Sequence, residues 1–234
     1  MSNSPRIPVG NRLLAALPRD EYERLLPNLE TVSLTYKQVL YEPREPINQV
    51  YFPNTGVISL LTILEEGIAG EVGLVGNEGM VGLSVFLGID TTPIQSFVQV
   101  PGDAMRMNAD VFKSLNQSDS LHGLLHRYTH ALMIQISQSV ACNNYHSVEQ
   151  RCCRWLLMTR DRVGSNQFPI TQEFLSEMLG VRRASVTVVA SILQKAELIR
   201  YSRGRMTILN GFGLEKASCK CYRLVKEEFD RSLG

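Results

Sequence analysis

Arg182, Arg183, Ser185 and Thr187 fall on the polar side of a helical repeat whose inward residues are Val186, Val189 or Ala190, and Leu193. A guanidinium donates from a planar fork that fits phosphate oxygens and the major-groove edge of guanine, and a hydroxyl can serve either. Further on, residues 198–201 and 205–208 alternate around Ser202-Arg203-Gly204, the pattern of a β-hairpin with Arg203 and Arg205 at its tip. Cations so placed would meet phosphates beside a groove. Upstream, Thr171 and Gln172 open another short helix. The chemistry common to these residues is recognition of double-stranded nucleic acid.

Short elements must hold those side chains. Thr171 takes an N-cap position after Pro169-Ile170, with Gln172 and Glu173 in the first turn and Leu175, Met178 and Leu179 forming an apolar face. Gly180 suits the left-handed residue that ends a helix. Only Val181 and Arg182 intervene before the second helix, so the segment predicts a helix-turn-helix followed by an arginine-bearing wing. In such motifs the N-terminal half of the second helix meets base edges in the major groove. Charge agrees with this. Residues 150–234 carry 15 Lys and Arg against 8 Asp and Glu, net +7, whereas residues 1–149 carry 9 against 15, net −6. The split suggests two jobs, with the basic part facing a polyanion.

Ahead of this segment the hydrophobic period changes twice. From about Thr31 to Met107, short β-rich runs alternate with Gly, Pro and Asn. Val32, Leu34 and Tyr36 alternate, residues 50–52 precede the turn Pro53-Asn54-Thr55-Gly56, and residues 57–64 run into the turn Glu65-Glu66-Gly67. This predicts an antiparallel β-roll, cupin-like in form. Gly70, Gly73, Gly76, Gly79 and Gly82 recur every three residues and read as tight turns between brief strands. Leu121, Leu124, Leu125, Tyr128, Leu132, Ile136 and Val140 then recur every three or four residues, with no Gly or Pro between Leu124 and Cys142, which predicts a long amphipathic helix.

Two apolar seams on one helix call for two partners. Leu121, Leu125, Tyr128, Leu132, Ile136 and Val140 are therefore expected at a homodimer interface with a second copy of the helix. The alternative is a helix lying wholly on its own domain. Asn143-Asn144 should loosen or break it, and residues 146–163 form the next helix, with Val148, Cys152, Trp155 and Leu156 inward and Gly164 at its end. The expected organisation is α+β: a β-roll sensor domain with short N-terminal helices over 1–118, a dimerisation helix over 119–144, and a winged helix-turn-helix DNA-binding domain over 145–234.

Composition sets the outer bounds. With 234 residues, 44% hydrophobic and 20% charged, the chain is an ordinary globular protein. It has no run of 18 apolar residues, so no membrane partner is expected. There is no basic-then-apolar leader, and five cysteines are an odd number, which together fit a reducing, cytoplasmic setting. The sequence contains no phosphate-binding loop, zincin or nucleophile-elbow motif, and no enzyme activity is expected.

The order of β-roll, long helix and winged helix-turn-helix, above all over residues 170–199 (ITQEFLSEMLGVRRASVTVVASILQKAELI), resembles the Crp/Fnr family of bacterial transcription regulators. The resemblance implies a homodimer on a two-fold symmetric operator in double-stranded DNA, recruiting or obstructing RNA polymerase. It places Thr171 and Ser185 at phosphates and Arg183 at a base. The family's best-known recognition helix has a Glu after that arginine and another Arg further along. Ala184 and Val188 stand there instead, so the familiar operator is not expected.

The resemblance also implies a cyclic-nucleotide-binding-like β-roll. Such a site uses a Gly-Glu pair for the ribose and an Arg-Ser or Arg-Thr pair for the cyclic phosphate. In the matching stretch 82–88, Leu83 replaces the acid, and no Lys or Arg occurs between Gly79 and Asp103. Burying an anion without a charged partner is costly. Cyclic AMP is therefore not the expected effector, and an unidentified one is expected in a pocket around Gly82, Ser84, Thr91 and Thr92.

No cofactor or metal is expected. The N-terminal cysteine cluster of the family's iron–sulfur members is missing. Cys219-Lys220-Cys221 lacks a second pair, and Cys152 and Cys153 are helix neighbours that point apart. His122, His126 and His130 lack a further ligand at metal-site spacing and read as a polar stripe beside the dimer seam. The runner-up reading is a small-molecule-binding or metal- or redox-sensing protein whose basic C-terminal domain serves protein contacts.

Overall fold

A computed structural model of the chain describes residues 10–64, 69–115 and 119–233. Two short helices, α1 (Arg12–Ala15) and α2 (Arg19–Leu25), precede strands β1 (Glu30–Leu34), β2 (Val39–Tyr41), β3 (Gln49–Pro53), β4 (Val57–Ile63) and β5 (Ala69–Val75). Helix α3 (Leu83–Phe86), strands β6 (Ile94–Val100) and β7 (Gly102–Asn108) and helix α4 (Ala109–Leu115) complete the N-terminal part. The strands form two antiparallel sheets, ordered β1-β7-β3 and β2-β6-β4-β5. Phe52, Ile58, Leu74 and Val98 are fully or almost fully buried in the core of this roll.

Local details differ from the sequence expectation. Tyr36 lies beyond the end of β1, and Pro53 closes β3 rather than opening a turn. The turn at 65–67 lies outside the described residues. Gly70 and Gly73 sit inside β5. Gly76 and Gly79 lie past its end, where a Cβ would collide with the Arg162 side chain and the Tyr128 ring. The three-residue spacing thus records close packing at two positions as well as turns.

Helix α5 (Asp119–Tyr145) runs straight through Asn143-Asn144. Asn costs a helix interior only a few tenths of a kcal/mol, less than the packing it would forfeit by breaking. The break comes at His146-Ser147, where Ser147 caps α6 (Val148–Val163) in a reciprocal capping box with Gln150. The expected dimer seam divides. Leu121, Leu125, Tyr128 and Leu132 are buried within this same chain; the Tyr128 hydroxyl donates to Met80 O at 3.0 Å and its ring lies beside Phe229. Their apolar surface is already covered. What stays open on α5 is a neighbouring stripe: Met133 (61% exposed), half-buried Ile136 and Val140 (59%), at spacings of three and four.

Beyond α6 come β8 (Gln167–Pro169), α7 (Gln172–Leu179), α8 (Arg183–Lys195), β9 (Ile199–Ser202) and β10 (Arg205–Ile208), then α9 (Gly211–Ala217) and α10 (Cys221–Leu233). Strand β8 was not legible in the sequence; it joins the hairpin to give a three-stranded wing ordered β8-β10-β9. Helix α10 lies antiparallel along α5. Gln138 donates to Cys221 Sγ (3.1 Å), His130 Nε2 faces Glu228 (3.3 Å), and Arg127 donates to Ser232 O (3.0 Å).

A buried polar network joins the roll, α5 and α6. Arg162 pairs with Glu78 at 2.8 Å, both less than a tenth exposed, and donates to Gln135 Oε1 (2.9 Å) and Met158 O (3.1 Å). Glu71 accepts from the Trp155 indole (2.7 Å) and from Ser59 (2.9 Å). Burial pushes the Glu71 carboxyl up to about 7, against the pull of those two donors. Phe174 of α7 packs edge-on to Phe97 of β6, so the helix-turn-helix also touches the roll directly.

Candidate nucleic-acid interface

The helix-turn-helix forms by the predicted devices. Thr171 Oγ1 accepts from the Phe174 N–H (3.1 Å), satisfying one donor of the first turn of α7. Gly180 takes a left-handed conformation, φ 61°, and the Val181 N–H reaches back to Ser176 O (3.0 Å). Phe174, Leu175, Met178 and Leu179 of α7 are buried, as are Val186, Val189, Ala190 and Leu193 of α8. Helix α8 therefore turns its remaining side outward. Its N-cap is Arg182, and no side chain caps the first turn. Such an end offers free N–H groups and the positive pole of the helix to an anion.

The structure brings Thr171, Gln172, Arg182, Arg183 and Thr187 to one surface. Thr187 Oγ1 lies 2.8 Å from Gln172 Oε1, and Arg183 Nη1 lies 3.3 Å from Glu173 Oε2 with both side chains more than half exposed. Glu173 as partner of Arg183 escaped the sequence reading, because the pairing depends on how α7 crosses α8. An exposed pair of this kind contributes little stability, so it orients the guanidinium at small cost to its release. Ser185 is only partly exposed. The outward line Ala184, Val188 and Ile192 is apolar, with Val188 59% and Ile192 43% exposed. Such groups suit the methyl of thymine.

The wing tip stands beside this surface. Arg203 and Gly204 both have positive φ, 49° and 74°, the geometry of the two-residue turn that matches strand twist. The Ile170 N–H donates to Gly204 O (2.9 Å), fixing the tip against the start of α7. Arg203 and Arg205 are exposed, as is Arg200 on β9, which the sequence reading left out.

The expected effector residues come together only in part. Gly82, Ser84 and Thr92 line an open groove between the roll and α5, floored by Leu132 and Ile136. Thr91 is not on that lining; it bridges to Pro46 at the edge of the roll. Among the described residues, no Lys, Arg or His lines the groove. His122 and His126 pack edge-on against each other and Phe86. No described helix is long and apolar enough to cross a membrane.

Comparisons with known proteins follow the same division. Residues 150–217 match the family model of the Crp-like helix-turn-helix domain. No curated protein matches the chain by sequence. Among solved structures, FixK2 from Bradyrhizobium japonicum is similar at 13% identity and a TM-score of 0.69, covering 82% of this chain and 98% of its own. A CRP/FNR-family transcriptional regulator from Thermus thermophilus is similar at 20% identity, TM-score 0.66, covering 81% and 98%. The c-di-GMP responsive global regulator CLP of Xanthomonas campestris is similar at 14% identity, TM-score 0.63, covering 82% and 99%. Residues 150–217 thus form a Crp-like helix-turn-helix domain, and the chain as a whole has the fold seen in Crp/Fnr-family structures.

Proposed function

We propose that this protein is a homodimeric, sequence-specific regulator that acts in the cytoplasm on a two-fold symmetric DNA operator. The observation that carries this is the single exposed face formed by Thr171, Gln172, Arg182, Arg183 and Thr187 with the arginines of the wing at its edge. Two copies would place their α8 helices in successive major grooves about 34 Å apart. The seam joining them is the open stripe Met133, Ile136 and Val140 of α5, in place of the buried residues next to it. On this reading the chain divides into sensor (1–118), dimer helix (119–144) and DNA reader (145–234), and RNA polymerase is the machinery the bound dimer recruits or obstructs.

Arg183 reads guanine, Thr171 and Ser185 meet phosphates, and Ala184 and Val188 favour thymine methyl groups. The groove at Gly82, Ser84 and Thr92 takes an effector other than a cyclic mononucleotide, since among the described residues no cationic side chain lines it to hold a buried phosphate. That one relative of this fold responds to c-di-GMP supports effector variety on a common frame.

Selection of bound duplexes from a random library with the full-length protein tests the reading. It should return an inverted repeat. Arg183→Ala should then weaken binding by about 1–3 kcal/mol and relax preference at one base pair per half-site. Recovery of no common sequence, or equal binding by the variant, would overturn the assignment. Met133→Asp with Val140→Asp should shift sedimentation from dimer to monomer; an unchanged dimer would place the seam elsewhere.

A further inference from the structure

Three buried cysteines and one histidine, far apart in sequence, meet at one point. Cys142 lies in the last turn of α5, and His146 directly follows that helix, its N–H donating to Cys142 O at 3.1 Å. Cys219 and Cys221 flank the junction of α9 and α10. Their ligand atoms, three Sγ and one imidazole nitrogen, all lie within 4.8 Å of one another. Cys142 Sγ is 3.5 Å from Cys219 Sγ, and Cys221 Sγ is 3.5 Å from His146 Nδ1. The three cysteines form an apolar cluster of their own, separate from the main core.

We propose that Cys142, His146, Cys219 and Cys221 form a tetrahedral Cys3His site for a zinc ion. Zinc–sulfur bonds of about 2.3 Å put tetrahedral sulfurs about 3.8 Å apart, so the observed separations lie within about 1 Å of closed coordination. Soft thiolates with one imidazole select zinc over oxygen-seeking cations. Four protein ligands leave no open position, which marks a structural rather than a catalytic site. On binding, the three thiols give up their protons to solvent, and the filled site carries one net negative charge.

The surroundings suit that charge. Gln138 Nε2 donates to Cys221 Sγ at 3.1 Å, the kind of outer hydrogen bond that holds a ligand in orientation. Buried Arg154 of α6, donating to Ser139 (3.2 Å), is near enough to act electrostatically on Cys142. An open groove beside Cys219, lined by Glu215, Lys216, Arg223 and Glu227, gives an ion a way in. The ion would stitch the start of α10 to the end of α5, across the junction at Ser147. The C-x-C pair stands without partners in the local sequence because they lie far upstream, Cys142 being 77 residues from Cys219.

Full-length protein prepared under reductant with zinc in the medium should retain about one zinc per chain after dialysis against a weak chelator, by mass-spectrometric metal analysis. Cys219→Ser with Cys221→Ser should lower retention at least tenfold, and Cys152→Ala, outside the cluster, should leave it unchanged. Cobalt added to metal-free wild type should give a thiolate charge-transfer band and the visible bands of tetrahedral cobalt, a readout that does not depend on any variant folding. Absence of both retained metal and the thiolate band, a Cys142–Cys219 disulfide in freshly isolated protein, or iron with labile sulfide would each overturn the zinc assignment.

Discussion

The two polar constellations of this chain are built on opposite terms. At the face proposed to read DNA, Arg183 and Glu173 pair at 3.3 Å in open solvent, Thr187 and Gln172 share a hydrogen bond at the surface, and Arg203 and Arg205 extend outward from a two-residue turn. Between the roll and α6, Arg162 and Glu78 pair at 2.8 Å almost out of solvent, with further bonds to Gln135 and Met158 O. A surface pair can be exchanged for a phosphate or a base at little cost. A buried pair cannot be opened without stranding a charge. The first arrangement can change partners and the second keeps its geometry, which is what the proposed reader on a positioning frame would require.

The contrast can be broken most forcefully at Glu78. Glu78→Ala leaves Arg162 buried and uncompensated and should cost about 3–5 kcal/mol of stability, read as a lower denaturation midpoint. Arg183→Ala, expected to weaken operator binding, should change stability by less than about 0.5 kcal/mol. If the two variants were equally destabilised, the distinction between the regions would fail.

Glu71 gives a pH test of the frame. Its carboxyl ionises near pH 7 in the folded chain and near 4.5 when unfolded. The folded state therefore holds the extra proton between those values, and its stability should be full below about pH 4.5, fall as pH rises towards 7, and level off above. Glu71→Gln should flatten that slope, by on the order of 1–3 kcal/mol across the window, in denaturation curves taken at several pH values. An unchanged slope would exclude Glu71 as its source.

The smallest effect belongs to the wing. Arg203→Ala should lower affinity equally for operator and unrelated DNA and reduce the salt slope of binding by about one unit. A loss confined to one base pair would instead make Arg203 a base reader and extend the specific surface from α8 to the wing.

Short-range signals in the sequence carried most of the reader. The Thr171 cap, the Gly180 stop, the apolar faces of α7 and α8 and the Arg203-Gly204 turn each depend on a few adjacent residues, and each has the expected form. Long-range arrangement was not legible. The open face of α5 depends on where the roll and α10 settle, so Leu121, Leu125, Tyr128 and Leu132 looked available while being covered. Glu173 beside Arg183 and the meeting of Cys142 with Cys219 need the folded crossing of helices. Strand β8, only three residues long, carries too little alternation to declare itself.

The antiparallel seating of α10 on α5 sets a rule for any signal that passes through the molecule. The unit that bears α7 and α8 is anchored at its entrance by the capped start of α6 and at its exit by Gln138, His130 and Arg127 gripping α10. A body fastened front and back along one rod does not flap like a gate; it travels with the rod. A twist or slide of α5 by about one or two ångströms, a common scale for helix shifts at interfaces, would thus reach that unit through both attachments at once. Cutting the chain before Cys221 would remove the rear attachment and leave the front one.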